Sequence, residues 1–329
     1  MPPKHIAARL RAGNHSWNRM HAIHDRTSRI RPYDILLMTM ARDENLRIPH
    51  FLDYYRNLGV GHFLFIDNQS EEPMADILAN EGDCSLWWTD QPYETARWGV
   101  DWMNALLPRY AVGHWNLTVD LDEYFVYPFM ESRSLRELVD HLDDIANPSL
   151  YSLLIDMYPR GPVEEAVLNE GQNPLEVAPL FDKTGYYTEK SEHNTMLARG
   201  GPRLRSINGG QLMGAPAMNK IPLVKWKPGY AYHLGAHDLF PTHLNHPHHR
   251  NTHSPTGALL HFKFLAMFRD KVSKAIEEGN HYNNSSEYRQ YQQHLDRADT
   301  FCLDGAISNE YVDSNSLMQL NLMTAGLWA

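Results

Sequence analysis

The chain has 329 residues, of which 43% are hydrophobic, 21% charged and 11% aromatic. This composition is typical of a globular protein and excludes wholesale disorder, collagen and a long coiled coil. The longest apolar runs, 34–40 and 150–155, are far shorter than the roughly 20 residues of a membrane-spanning helix. The two cysteines, Cys84 and Cys302, form neither a CxxC pair nor a ligand cluster, which argues against a disulfide framework or thiolate zinc site and favours a cytoplasmic protein.

The net charge of −10 is unevenly distributed. Residues 1–31 contain seven Lys and Arg side chains against the single acid Asp25, so this stretch carries +6 and the rest of the chain −16. The pattern predicts a basic N-terminal arm on an acidic body. The arm is either solvated or packed on its own domain, or it contacts another polyanion or anionic lipid, such as that at the inner face of a membrane. The acidic body argues against binding to nucleic acid.

The hydrophobic pattern predicts alternating strands and helices. Strands are predicted over 34–40, 62–66, 84–89, 115–119 and 151–158, and helices near 48–58, 73–82, 94–107, 135–142, 264–278 and 287–297. This alternation predicts an α/β fold with an open, mostly parallel sheet flanked by helices. Residues 160–260 are rich in Gly, Pro, Asn and His and predict an irregular second half of loops and short strands.

Polar residues follow three of the predicted strands, at Arg42–Asn45, Asp67–Asn68 and Asp120–Glu123. Ligands of open α/β sheets bind outside the carboxyl ends of the strands, so these residues are candidates for a site. Asp120 and Asp122 are two positions apart at a strand end, and both carboxylates can therefore face one hard cation, magnesium or manganese. Such an ion keeps open positions for phosphate oxygens. The alternative is an Asp-x-Asp that merely decorates a loop.

Four segments carry a family resemblance: Met40–Asn45, Phe51–Val60, His62–Ser70 and Asp120–Glu123. They resemble the family-two-like glycosyltransferases of bacterial surface polysaccharide pathways and are similar to the related family-ninety-two galactosyltransferases. The resemblance covers about residues 35–130 well and then thins to fragments, chiefly at 200–201, 220–225 and 260–263. It implies a GT-A fold, a nucleoside diphosphate sugar donor and a divalent metal bound through the Asp-x-Asp motif.

The resemblance also implies roles for single residues. Asp120 and Asp122 would bind the metal and the sugar diphosphate, and Asp67 with Asn68 would face the base or ribose. The loop beside the nucleotide would comprise Arg42, Asp43, Glu44 and Asn45. Asp43 departs from the family pattern, in which the loop more often reads Arg-Asn-Glu, and this leaves the details of nucleotide contact open.

Each of these roles has an ordinary structural alternative. Asp67 and Asn68 can form a turn without a ligand, and Arg42 can pair with a neighbouring acid on the surface. Arg97, in the third predicted helix, is a weaker candidate for the nucleotide-sugar site.

Eight of the nineteen histidines lie between 233 and 261, but no HExxH motif is present and most of them lie among turn residues. We therefore expect loop histidines rather than a zinc site. His261 differs because it follows an apolar pair, and the resemblance implies that it is a third metal ligand or a diphosphate contact; a structural histidine is the alternative. Lys263 would face the same phosphate.

The resemblance implies a transfer that inverts the anomeric carbon, and such a transfer needs a carboxylate that takes the proton of the acceptor hydroxyl. The candidates for this general base are Asp238 and Asp156, with Glu192 as a third, and the sequence does not order them.

The predicted organisation has three parts. A basic arm covers 1–31 and a GT-A domain covers 32–300, with a nucleotide-sugar-binding half at 32–130 and an acceptor-binding half at 131–300. A partly helical tail covers 301–329. The expected function is metal-dependent transfer of a sugar, with inversion, from a nucleoside diphosphate donor such as a UDP-sugar to a hydroxyl of a glycan or glycolipid. The alternatives are a metal-dependent phosphohydrolase and a non-catalytic carbohydrate-binding protein.

Overall fold

The apolar runs of the first third of the chain form neighbouring strands of one large sheet. The computed structural model describes residues 4–191, 195–245, 254–279, 282–296 and 300–328. Its strands are β1 (Met20–His24), β2 (Ile35–Ala41), β3 (Val60–Asp67), β4 (Cys84–Thr89), β5 (Trp115–Thr118), β6 (Glu123–Val126), β7 (Ser149–Asp156), β8 (Leu180–Asp182), β9 (Tyr187–Lys190), β10 (Met196–Arg199), β11 (Asn219–Lys225), β12 (Ala231–Tyr232), β13 (Leu239–Phe240), β14 (Gly257–His261) and β15 (Ser308–Glu310). Its helices are α1 (Lys4–Trp17), α2 (Ile48–Leu58), α3 (Met74–Ile77), α4 (Val100–Tyr110), α5 (Leu135–Asp144), α6 (Phe268–Glu278), α7 (Tyr282–Leu295) and α8 (Ser314–Gln319).

The main sheet has nine strands in the order β1-β4-β3-β2-β5-β11-β7-β14-β6. The pairings give β2, β3, β4, β5, β7 and β14 one direction and β1, β11 and β6 the other. Six of the nine strands therefore run the same way, and the predicted α/β fold with an open, mostly parallel sheet is confirmed.

Helices cover both faces of this sheet because successive strand residues point to opposite sides. Leu37 of β2 belongs to the apolar core that contains Phe51 of α2. Its neighbour Leu36 belongs to the core that contains Trp102 of α4 on the other face. The carboxyl ends of the central strands lie between these two layers and are left for a ligand site.

Several predicted helix boundaries are wrong. The helices predicted from 264 and from 287 begin at Phe268 and Tyr282. The helix predicted over 94–107 begins at Val100, since Arg97, Trp98 and Gly99 have positive φ angles of 50°, 54° and 81°, which a right-handed helix cannot contain. The helix predicted to continue to Gly82 ends at Ile77. The short strand β6, directly after the Asp-x-Asp motif, was not predicted.

The basic N-terminal segment packs on its own domain. Helix α1 lies against α4 so closely that a Cβ atom at Gly13 would overlap the backbone carbonyl of Asn104. The guanidinium of Arg109 lies 4.4 Å from the centre of the Trp17 ring. Strand β1 then adds an antiparallel edge to β4. These residues extend the sheet on the side away from β6.

The second half is built largely of the short strands and turns that its composition predicts. Strands β8 and β15, β9 and β10, and β12 and β13 form three two-stranded sheets. Strands β11 and β14 differ, because they cross back into the main sheet on either side of β7. This insertion brings residues from distant parts of the sequence beside the Asp-x-Asp motif.

Candidate functional site

A cleft of about 580 Å³ opens at the carboxyl ends of the strands. The end of β2, Asn68 after β3, the turn that contains Asp120 and Asp122, and the end of β14 form one side, and α6 forms the other. Of the residues predicted for the site, those that line the cleft are Arg42, Asp43, Glu44, Asn68, Asp120, Asp122, His261 and Lys263. The structure thus brings together residues that are up to 221 positions apart in the sequence.

Three titratable residues stand side by side on neighbouring strands. His261, at the end of β14, is in register with Glu123 on β6 and with Asp156 on β7. His261 Nδ1 lies 2.7 Å from Asp156 Oδ1, and its Nε2 lies 3.4 Å from Asp122 Oδ2. The backbone of Phe262 also donates to the Asp122 carbonyl, which holds the acidic turn against β14.

The charges of this group stabilise one another. Burial alone would lower the pKa of His261, but the carboxylates of Asp122 and Asp156 outweigh burial and raise that pKa to about 9. Burial would likewise raise the pKa of Asp122, and the neighbouring His261 holds it well below its usual value. The two carboxylates therefore favour the protonated form of His261.

Asp156 lies behind His261 and is fully buried. Arg203 donates to both of its carboxylate oxygens, at 2.7 Å from Nε and 3.0 Å from Nη2. Burial would raise the pKa of Asp156, but Arg203 and His261 lower it to about 2. The ion pairs continue outward, because Glu287 lies 3.5 Å from Arg203 and 3.4 Å from Lys263. A chain of alternating charges therefore connects the cleft with α7.

The first acid of the motif has a different partner. Lys220 Nζ lies 2.8 Å from Asp120 Oδ2 and also donates to Glu123 Oε1. The other Glu123 oxygen accepts from the Asp120 backbone N–H at 3.1 Å. Burial, reinforced by the charge of Asp120, raises the pKa of Glu123 to about 7 even though Lys220 opposes the shift.

One set of residues in the described part of the chain has the geometry of a metal site. Asp122, Glu123 and His261 offer ligand atoms that all lie within 4.8 Å of one another. Carboxylate oxygens and an imidazole nitrogen are ligands of Mn²⁺, and carboxylates also suit Mg²⁺. Asp156 would fix the orientation of the His261 ring from its other nitrogen, which is the usual outer partner of a metal-bound histidine. The donor set fits the predicted metal, with Glu123 added to Asp122 and His261, whereas Asp120 is paired with Lys220.

Ion pairs join the loop after β2 to α6 across the cleft. Arg42 Nη1 lies 3.2 Å from Glu278, and Asp43 lies 2.6 Å from Lys274. Glu44 pairs with Lys271. The predicted nucleotide loop therefore faces a helix that offers two ammonium groups, and a phosphate in the cleft would compete with Asp43 and Glu44 for them.

Other predicted residues lie away from the cleft wall. Asn45 donates to the Glu72 carbonyl, and Asp67 accepts from the backbone N–H groups of Ser70 and Met74, so Asp67 shapes the turn after β3. Arg97 pairs with Asp101. No ligand contact is needed to explain these bonds.

Neither predicted general base lines the cleft. Asp156 is enclosed by Arg203 and His261, and Asp238 is a buried residue at the start of β13. Glu192 and the histidines at 246, 248, 249 and 253 lie outside the described residues.

Three charged residues around the site were not predicted from the sequence. Lys220 pairs with Asp120 and Glu123, and Arg203 pairs with Asp156. Glu287 pairs in turn with Arg203 and Lys263. Lys220 begins the 220–225 fragment of the family resemblance, so a signal for it existed in the sequence. Arg203 lies in a short π-helical turn, Arg203–Ile207, and Glu287 lies on α7. Nothing in their local sequence distinguishes these two from surface charges.

No family model matches this sequence, and no curated protein matches it. Among solved structures, the chain is similar to one described as the crystal structure of 4-diphosphocytidyl-2C-methyl-D-erythritol synthase. That similarity has 18% sequence identity, covers 44% of this chain and 68% of the other, and has a TM-score of 0.25. The strand order described above defines an α/β fold with a mostly parallel sheet. Within the described residues, every helix is too short or too polar to cross a membrane.

Proposed function

We propose that the protein is a metal-dependent glycosyltransferase. It would transfer a sugar, with inversion, from a nucleoside diphosphate donor, for which a UDP-sugar is our first choice, to a hydroxyl of a glycan or glycolipid. One observation carries the proposal: Asp122, Glu123 and His261 form a metal-compatible cluster at the strand ends, where Asp122 and His261 face a cleft that two lysines of α6 also line.

Asp122, Glu123 and His261 would hold a Mn²⁺ or Mg²⁺ ion in this site. The ion, when bound, supplies positive charge that neutralises the departing diphosphate. Asp156 keeps the His261 ring in the orientation that presents Nε2 to the cleft, since its carboxylate occupies Nδ1. Arg203 in turn fixes Asp156 with two hydrogen bonds.

The rest of the cleft suits a nucleotide. Tyr93 and Asn68 line one end of it, and the Tyr93 ring is backed at 5.9 Å by Trp102, which is buried in the core. Aromatic faces and an amide are groups that can stack on and hydrogen-bond a base. Lys271 and Lys274 contribute charge that would offset the diphosphate. We propose this end of the cleft for the nucleoside and the lysine-rich side for the phosphates.

For the acceptor side Asp238 stays the predicted general base, although its side chain is buried and does not line the cleft. Both oxygens of the alternative, Asp156, are already engaged by Arg203 and His261, which makes Asp156 a positioning residue. The acceptor would be a glycan or glycolipid hydroxyl. Contact with a membrane surface would be peripheral and at the cytoplasmic side.

The test is release of UDP from UDP-glucose, UDP-galactose and UDP-N-acetylglucosamine, measured with Mn²⁺ or with EDTA and with or without methyl glycosides and short glycolipids as acceptors. The proposal predicts release that needs both the metal and an acceptor. Equal release without any acceptor would identify a hydrolase instead. Mn²⁺-dependent UDP binding with no release under any condition would favour the non-catalytic binding protein.

A further inference from the structure

We propose that Lys220 is a built-in counter-cation that competes with the divalent metal for the acidic motif and so lowers the protein's affinity for that metal. The inference rests on the proposed metal-dependent function and deepens it, because it names the residue that sets how tightly the metal binds. Lys220 belongs to none of the roles described above for the donor or the acceptor.

The position of Lys220 is fixed by the sheet. It lies on β11, between β5 and β7, and its side chain is only 8% exposed. The ammonium group lies between Asp120, whose side chain is 50% exposed, and Glu123, whose side chain is 1% exposed. Lys220 therefore reaches from the interior of the sheet to the rim of the cleft and carries its charge to the motif.

Lys220 binds the Glu123 carboxylate, which the metal also needs. The metal-compatible cluster includes a Glu123 oxygen, yet Oε1 accepts from Lys220 and Oε2 accepts from the Asp120 backbone. A metal ion bound by Glu123 must break one of these bonds or lie next to an ammonium group. In a buried place two cations repel each other strongly, so either route reduces the affinity for the metal.

The electrostatic environment explains why the chain carries a lysine here. Asp120, Asp122 and Glu123 lie within four residues, and Glu123 is buried. Carboxylates held so close destabilise one another unless a cation lies among them. Lys220 supplies that cation in the absence of metal, and a divalent ion would take over the same task when it binds.

The opposite role for Lys220 would be to organise the acids for the metal. The two roles differ in the sign of one measurable change. If Lys220 competes, its removal tightens metal binding; if it organises the ligands, its removal weakens metal binding.

The experiment is a calorimetric titration of the full chain with MnCl₂ alone, without nucleotide. Lys220→Met should bind Mn²⁺ at least tenfold more tightly than the wild type. The matched control is Lys225→Met, on the same strand. Lys225 lies away from the cleft, where its Nζ is 2.6 Å from Asp143, so its loss should leave Mn²⁺ binding unchanged. Lys220→Gln, which is neutral but keeps a hydrogen-bond donor, carries the same prediction if Lys220→Met does not fold.

The outcomes separate this inference from the proposed function. Tighter binding by either neutral variant, including binding that the wild type lacks, supports the inference. Unchanged or weaker Mn²⁺ binding by the Lys220 variants overturns it. The proposed metal site still stands in that case if the wild type binds Mn²⁺ and Asp122→Asn does not. Failure of the wild type and of both variants to bind Mn²⁺ overturns the inference and the metal dependence together.

Discussion

The two sides of the main sheet are stabilised in different ways. On the parallel side, β2, β3 and β4 pack between helices through apolar residues such as Leu37, Phe63 and Leu86, which are all buried. On the mixed side, β7, β11 and β14 place charged groups in the interior, including Asp156 and Lys220. The comparison indicates that the first side is a scaffold and that the second side uses part of its stability to hold charges for a site.

The largest effect that can test this comparison is the loss of the charge on Asp156. Asp156→Asn should lower the free energy of unfolding by about 3–5 kcal/mol, because the buried Arg203 and His261 would each lose their nearest counter-charge. Urea unfolding measures the change. Asp143→Asn is the matched control, since Asp143 forms an exposed pair with Lys225, and it should cost no more than about 1 kcal/mol. Equal costs for the two variants would contradict a special role for the buried charges.

On the scaffold side, stability should depend mainly on side-chain volume. Gly13→Ala should destabilise the protein by about 1–3 kcal/mol, even though alanine favours helices, because the new Cβ would overlap the Asn104 carbonyl. Arg11→Ala, exposed on the same helix, should change the free energy of unfolding by less than about 0.5 kcal/mol. A neutral or stabilising Gly13→Ala would show that α1 does not pack closely on α4.

A smaller effect should appear in the pH dependence of stability on the mixed side. Burial would raise the pKa of Glu287, but Lys263 and Arg203 lower it from its ordinary value of 4.5 to about 2. A carboxyl group whose pKa is lowered by folding stabilises the fold at pH values above its pKa in the unfolded chain. That contribution disappears as the pH falls from about 4.5 towards 2.

Thermal unfolding between pH 6 and pH 3 measures this contribution. Over that range the free energy of unfolding of Glu287→Gln should fall by about 1 kcal/mol less than that of the wild type. The expected difference is this small because the Glu287 side chain is 33% exposed and solvent screens its charge. Parallel curves for the two proteins would mean that Glu287 does not stabilise the fold through its charge.

The same contrast explains which features the sequence could predict. Strands β2, β3 and β4 are short apolar runs joined to helices nearby, so local periodicity located them and the polar residues that follow them. The approach of β11 and β14 to β7 depends on contacts between distant segments, which no local pattern contains. Lys220 and Arg203 were missed for this reason, while Asp122 was predicted from the Asp-x-Asp pair at a strand end and His261 from the family resemblance. The role predicted for Asp67 assumed that a polar residue at a strand end faces the ligand, whereas its side chain bonds to its own turn. Arg97, which was predicted on a helix, pairs with Asp101.

The structure also improves the choice of variant at the motif. The side chain of Asp122 is largely buried and faces His261, and its charge also acts on the buried Arg47. Asp122→Ala would therefore remove volume and a counter-charge as well as a ligand. Asparagine keeps the shape and one oxygen acceptor, so Asp122→Asn is the cleaner test of metal binding.

The most direct measurement of the central claim is a calorimetric titration of the protein with UDP in the presence of Mn²⁺, for the wild type, Asp122→Asn and the control Asp143→Asn. The account predicts that the wild type and the control bind UDP equally and only when Mn²⁺ is present, and that Asp122→Asn binds it at least tenfold more weakly. Equal UDP affinity in Asp122→Asn and the wild type, or binding that is indifferent to Mn²⁺, would contradict it.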